Sequence, residues 1–255
     1  MNVLITGSEG FIGSRLCSYL EEKGYDIIGF DIKNGSDEDV GDYESLERVF
    51  KNNSIDFVVH LAAEADVWCD NYSKVWRSNI KGVKNVGRLC ERFNVPLLFT
   101  SSITEDDPRN LYSRSKRIGS LILEDLGCES KVVKLSNVVG SGTNKGQVSA
   151  MIEQALEEGR IEVWGNGEII RSFVYVEDVC KAIWFFIEGC NIPEVLGSLS
   201  CSNICIAEFI AGCFDKDVSI KRVSKLPPSP KKLVCRDTIT TNNVFKGIKE
   251  QIKED

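Results

Sequence analysis

The sequence is poor in the residues that assemble metal centres. Its 255 residues contain a single histidine, His60, which disfavours a zinc site, and no metal is expected. Ten cysteines are present, yet none forms a C-x-x-C pair and their spacing follows no regular framework. They read as small, mostly core residues of a reducing compartment. No Pro/Gly/Ser-rich linker, internal repeat or low-complexity tract divides the chain, and 42% hydrophobic content is enough to bury one sizeable core. No apolar run reaches membrane-spanning length, so no membrane partner is expected. Met1-Asn2-Val3-Leu4-Ile5-Thr6 runs straight into a strand pattern, without a basic region followed by a long apolar one, and a cytoplasmic protein is expected. The formal net charge is -7, with Lys and Arg scattered rather than banked into a stripe, which argues against nucleic acid as a partner.

What the first half does contain is an alternation. Apolar, β-branched runs at 3–6, 26–30, 56–61, 97–100 and 131–135 are interleaved with helical patterns at 11–23, 43–51, 74–93 and 111–126. Strands of this kind, each followed by a helix, predict an α/β fold: a doubly wound, Rossmann-like parallel sheet covered on both faces. Beyond Gly140 the pattern loosens to a helix at 147–158, strands near 162–164 and 172–176, and a helix at 177–188. The rest, with Pro227-Pro228-Ser229-Pro230, predicts a small C-terminal lobe. The expectation is one domain, with residues 1–140 and 170–190 as a dinucleotide-binding core and 141–169 and 191–255 as a substrate-binding lobe.

Gly7-Ser8-Glu9-Gly10-Phe11-Ile12-Gly13 lies between the first strand and the first helix. Glycines there permit a tight turn, close backbone approach to a pyrophosphate and packing of the helix on the sheet, and the helix N-terminus supplies an anion site. Asp31 ends the second strand 18 residues after Gly13, where a carboxylate accepts hydrogen bonds from ribose hydroxyls. Asp31 would repel a 2′-phosphate, and Glu9 places a second carboxylate in the same turn, so NAD is the expected cofactor.

Tyr112 and Lys116 stand four apart in the predicted helix 111–126, on one face, so the ammonium is expected beside the phenol, favouring phenolate. Populating phenolate near neutral pH requires about three pKa units, roughly 4 kcal/mol. An ammonium at about 4 Å contributes around 1 kcal/mol in bulk water and about 4 at an effective dielectric near 20. The pair is therefore expected to suffice only where the site is partly dry or the positive charge of the oxidised nicotinamide adds to it, and to work best with NAD bound.

With Asp56-Phe57-Val58-Val59-His60-Leu61-Ala62-Ala63, Asn79 with Gly82, Ser101-Ser102, Tyr112-Ser113-Arg114-Ser115-Lys116, Asn137-Val138-Val139-Gly140 and Trp164-Gly165-Asn166-Gly167 leading to Arg171-Ser172-Phe173-Val174-Tyr175-Val176-Glu177-Asp178, the chain resembles the extended short-chain dehydrogenases/reductases of the NAD-dependent nucleotide-sugar epimerase/dehydratase family. The resemblance spans about residues 1–180. It implies Tyr112 as acid/base, Lys116 as a further holder of the nicotinamide ribose, and Ser102 bonded to the reacting sugar hydroxyl. Gly7, Gly10, Phe11, Ile12, Gly13, Asp31, the Asp39-Val40 pair at adenine, Leu61, Ala62, Ala63 and Asn79 are implied in the cofactor cleft. For the substrate it implies Ser102 at the sugar hydroxyl, Asn137 and Arg171 at the diphosphate and Trp164 near the base, with Gln147 and Val148 as further substrate residues. His60 reads as structural. The implied partners are a nucleotide-diphosphate sugar and a second copy of the chain, in a homodimer through 74–93 and 111–126.

The chain departs from that family in several places. Only nine residues separate Ser102 from Tyr112, a short form of a loop that contacts substrate. Ile103 and Thr104 stand where dehydratases and decarboxylases carry Asp-Glu or Glu, with Glu105 and Asp106 off register, and the Cys that follows the Ser in some epimerase/reductases is missing. A late Arg is replaced by Ser229 before Pro230-Lys231-Lys232. The reading that results is an NAD-dependent nucleotide-sugar epimerase acting at C4 through a 4-keto intermediate. Its rivals are a 4-keto-sugar reductase, suggested by the short loop and by Gly119 soon after Lys116, a dehydratase, and an NAD-sensing protein without chemistry.

Overall fold

The computed structural model describes residues 1–142, 146–224, 232–233 and 243–254. The chain opens with β1 (Asn2–Thr6), α1 (Phe11–Glu22), β2 (Asp26–Phe30), α2 (Tyr43–Asn52) and β3 (Phe57–His60). There follow α3 (Tyr72–Val75), a π-helical turn (Trp76–Lys81), α4 (Gly82–Phe93), β4 (Leu97–Ser102), a 3-10 turn (Ile103–Asp106), α5 (Leu111–Asp125) and β5 (Ser130–Leu135). The helix expected over 74–93 is thus interrupted by one wide turn. The later elements are β6 (Asn137–Val139), α6 (Gln147–Glu158), β7 (Arg160–Trp164), β8 (Ile170–Tyr175), α7 (Val176–Ile187), β9 (Val195–Leu196), β10 (Leu199–Ser202), α8 (Asn203–Ala211), β11 (Ser219–Val223), β12 (Lys232–Leu233) and α9 (Val244–Glu254).

Two compact units result: residues 1–134 with 180–194, and 135–179 with 195–255. In the first, the strands run in the order β2-β1-β3-β4-β5, with β1 parallel to both β2 and β3 and β3 parallel to β4. The chain winds outward from β1 to β2 and returns to β3, which opens a crevice at the carboxyl ends of β1 and β3. The strands are apolar on both faces: Val3, Leu4, Ile5, Val58, Val59 and Leu98 are fully buried, as a sheet between two helical layers requires. Leu46 and Phe50 of α2 and Val83, Val86 and Leu89 of α4 complete the core, each on a helical period. Asp42 caps α2 by accepting from the Glu44 and Ser45 N–H groups, and Asn110 opens α5 with a capping box to Ser113.

In the second unit β8 pairs antiparallel with β10 and parallel with β6 and β12, and β7 pairs parallel with β11. Helices α6, α8 and α9 supply a separate core around Ile152, Ile161, Phe173, Ile206 and Ile248. Residues 135–140 and 170–179 fall in this unit, where β6 and β8 are partners in one sheet. Of the nine cysteines among the described residues, none in a disulfide, only Cys90 and Cys180 are buried and Cys190 and Cys205 are exposed. The core role expected for most of them is limited to a few.

Candidate active site

The crevice at the end of β1 is shaped by glycine. Gly7 has φ +76°, and a Cβ there would lie 2.7 Å from the Ala62 nitrogen in the segment that follows β3. A Cβ on Gly13 would lie 1.9 Å from the Gly7 oxygen. Both positions are closed to any side chain without backbone movement. Gly10 caps α1 without a side-chain hydrogen bond, leaving the first-turn N–H groups of that helix to an anion, while Phe11 and Ile12 are half-buried. The buried Ser8 hydroxyl in the same turn finds no partner among the described residues. A tight glycine cradle, an uncapped helix start and an unused hydroxyl fit a dinucleotide pyrophosphate.

Asp31, buried at the end of β2, accepts from the Glu9 N–H at 3.0 Å and the Lys33 N–H at 2.9 Å. The Lys33 ammonium reaches the Glu9 carbonyl at 2.7 Å, so a cation accompanies the two carboxylates on which the expectation of NAD was based. Asp39 accepts from the Gly41 N–H at 2.7 Å and pairs with Arg77, and the Val40 carbonyl accepts from Asn85 at 2.9 Å. Leu61, Ala62 and Ala63 are half-buried beside Gly7, with the Leu61 N–H donating to the Thr6 carbonyl at 3.0 Å.

Asn79 sits on the π-helical turn and is 1% exposed. Its amide accepts from the Glu64 N–H (2.7 Å) and donates to the Glu64 carbonyl (2.9 Å) and to the Ser115 hydroxyl (2.8 Å), tying this turn to α5. Wide helical turns of this kind concentrate at functional sites. The α5 face so fixed carries Tyr112 and Lys116. Lys116 is buried and donates from Nζ to the Thr100 carbonyl at 2.9 Å, and its Nζ is 5.9 Å from the centre of the Tyr112 ring. Ser102 ends β4, its hydroxyl 2.9 Å from that of Thr104 and accepting from the Thr104 N–H at 3.2 Å.

The chain's own groups do not by themselves make Tyr112 acidic. Burial pushes the half-buried Tyr112 hydroxyl up to about 12; the bond with Ser102 draws it down and the charge of Glu105 raises it. Burial lowers Lys116 to about 8, with Glu105 opposing that fall. A lysine drawn to a backbone carbonyl at this distance from the ring does not outweigh desolvation, so without a further positive charge the phenol keeps its proton. Burial likewise lowers His60 to about 3, aided by the Lys116 charge. It is a neutral ring, 2.6 Å from the Thr6 hydroxyl and stacked on Phe99.

The residues expected at the substrate lie in the second unit. Asn137 on β6 donates to the Ser172 carbonyl at 2.8 Å. Arg171 on β8 is buried, donates to the Ile170 carbonyl at 3.0 Å, and is lowered by that burial. Gln147 opens α6 with a buried amide nitrogen lacking a partner among the described residues, Val148 beside it is buried, and Trp164 ends β7 half-buried. Ser229, Pro230 and Lys231 lie outside the described residues, and of Lys232 only the strand pairing is described. Gly119 has a packing reason, since a Cβ there would meet Phe99 at 3.1 Å and Val83 at 3.3 Å. Thr100, Ser115, Arg77 and Glu105 were not anticipated; only Glu105, a carboxylate three residues after Ser102, gave a visible signal.

A glycine cradle at the switch point of a parallel sheet, followed by a Ser, Tyr and Lys set on β4 and α5, defines a dinucleotide-binding enzyme of Rossmann type. Residues 3–195 match the NAD dependent epimerase/dehydratase family, and the chain belongs to it. It is similar to a UDP-2-acetamido-2,6-beta-L-arabino-hexul-4-ose reductase of Pseudomonas aeruginosa, 29% identical over 74% of this chain and 50% of the relative, so it spans about half of that protein. A putative UDP-glucose 4-epimerase of Methanocaldococcus jannaschii is 28% identical over 71% of each chain. In fold, the chain resembles the UDP-glucose 4-epimerase of Thermotoga maritima solved with UDP-glucose, with a TM-score of 0.82, 22% identity, and coverage of 100% of this chain and 98% of that one.

Proposed function

We propose that the protein is a nucleotide-sugar epimerase acting at C4 through a transient 4-keto sugar. The observation that carries this reading is the set of a Ser102-bonded Tyr112 phenol and a Lys116 ammonium held on the Thr100 carbonyl, with Ile103 and Thr104, not acids, directly after Ser102. Bound NAD supplies the acceptor that takes and returns a hydride. Gly7, Gly10, Phe11, Ile12 and Gly13 would hold its pyrophosphate and Asp31 its ribose, with Asp39, Val40, Leu61, Ala62, Ala63 and Asn79 along the cleft.

The chain's own residues handle the proton. Tyr112, at about 12, is a donor at neutral pH; accepting the C4 hydroxyl proton requires added positive charge to bring it down. Ser102 would orient the sugar hydroxyl, and Lys116, at about 8, is mostly ammonium at neutral pH. Arg171 and Asn137, with Gln147, Val148 and Trp164, would grip the nucleoside diphosphate and leave the sugar loose enough to present either face. A panel of UDP-, dTDP-, GDP- and CDP-sugars with purified protein is expected to give one interconverted pair without net NADH. Net NADH production or consumption with turnover rules this reading out.

The short 103–111 segment and the reductase among the relatives favour a second reading, a nucleotide-4-keto-sugar reductase, which a phenol poised to donate also suits. Such an enzyme must exchange its cofactor, so NAD retained tightly through purification counts against it. We also propose a homodimer through the helical stretch 74–93 and α5, supported by Ile118 and Leu121, which are 39% and 50% exposed on α5. Light scattering at micromolar concentration is expected to give twice the chain mass, and a monomeric mass contradicts this.

A further inference from the structure

Glu105 lies in the 3-10 turn after Ser102 and is 6% exposed. Its Oε2 accepts from the Ser101 hydroxyl on β4 and from the Ser120 hydroxyl on α5, the latter at 2.8 Å. Its Oε1 faces the Lys134 ammonium on β5 at 3.1 Å, and its backbone carbonyl accepts from Arg117 on α5 at 3.4 Å. One carboxylate therefore joins the strand that ends in Ser102, the helix that carries Tyr112 and Lys116, and the neighbouring strand. Ser120 stands one turn after Lys116 and is also 3.2 Å from its carbonyl. A hydroxyl has one proton, and the shorter contact to a charged acceptor takes it.

An apolar residue could fill this turn without the several kcal/mol of desolvation that a buried carboxylate costs. The turn instead carries a paired, hydrogen-bonded charge. The titratable and charged groups around it are Lys134 on β5, Tyr112, Lys116 and Arg117 on α5, and Asp106 in the turn itself, which shares Lys134 at 2.6 Å; β4 contributes only the Ser101 hydroxyl. We propose that Glu105 is a positioning residue of this site: its carboxylate clamps β4, α5 and β5 together so that Ser102, Tyr112 and Lys116 stay in register, and it supplies the cluster's fixed negative charge. The inference rests on the proposed function for what the register is used for, and on the geometry for the clamp and the charge.

The charge can be read without substrate or cofactor. Lys116 titrates near 8, held up by Glu105 against desolvation, so removing the carboxylate moves its midpoint down. NMR of lysine labelled at Cε, with Lys116 assigned through Lys116→Arg, is expected to show that midpoint falling by roughly half a unit or more in Glu105→Gln. In Lys134→Met, where the carboxylate loses its partner, the midpoint is expected to rise, and in Glu105→Asp to return toward the starting value. An unmoved Lys116 midpoint in folded Glu105→Gln overturns the proposal. If that variant does not fold, a midpoint in Lys134→Met that stays put or falls does the same. Turnover is a separate readout: in the nucleotide-sugar assay Glu105→Gln is expected to lower kcat about tenfold and leave KM within about twofold. A Lys116 shift in a protein that converts no nucleotide sugar would leave the clamp standing and remove the proposed function.

Discussion

In the first unit the polar residues of the site are held by one another. Asn79 bridges the π-helical turn to Ser115, Lys116 reaches Thr100, Asp31 gathers the N–H groups of Glu9 and Lys33, and Glu105 ties three elements. In the second unit Asn137 and Arg171 lean on backbone carbonyls of their own sheet, and the buried Gln147 nitrogen has no partner among the described residues. The first arrangement fixes its polar side chains before any ligand arrives. The second leaves the Gln147 donor open to a ligand.

The sharpest way to break that comparison is to fill the cradle. Gly13→Val places carbon where the Gly7 carbonyl stands and is expected to abolish NAD binding in calorimetry and to cost about 3 kcal/mol or more in denaturant unfolding. Unchanged NAD affinity would remove the first unit's role. Tyr112→Phe comes next: turnover is expected to fall by about 10²–10⁴ while NAD affinity stays within a few-fold.

His60 offers a test of burial alone. Its folded value near 3 lies below the ordinary 6.5, so the unfolded chain binds a proton that the native state refuses. The stability that neutral His60 provides is complete above about 6.5 and lost as pH falls toward 3. Unfolding measured across that window is expected to show an acid loss on the order of a few kcal/mol that His60→Asn diminishes. A variant with an identical acid limb contradicts the assignment. The smallest effect is expected in the second unit. Arg171→Lys removes a planar fork and is expected to raise KM for the nucleotide sugar about tenfold with NAD affinity unchanged.

Much of the first unit was readable in the residues because its signals are local. β-branched runs, the Gly7 to Gly13 spacing and a carboxylate ending the second strand each need only a few neighbours to be interpreted, and the helices follow the expected spans to within a residue or two apart from the wide turn at Trp76–Lys81. That turn is invisible in a 3.6-residue period because the buried Asn79 amide is satisfied by Glu64 and Ser115, 15 and 36 residues away. That the phenol depends on a further positive charge is hidden for a related reason. Spacing puts Tyr112 and Lys116 on one face, but it does not show that Thr100 claims the ammonium or that Glu105 adds an opposing charge. The last third was the least legible: α8, α9, β10 and β11 carry mixed polar and apolar residues whose partners lie far along the chain.

The central claim is that a hydride leaves C4 and returns to it while Tyr112 carries the hydroxyl proton. Conversion of the interconverted nucleotide sugar in deuterated water tests it most directly. The account predicts epimerised product with no solvent deuterium on C4 and no accumulated NADH. Deuterium at C4, or conversion by Tyr112→Phe at the unmodified rate, would contradict it.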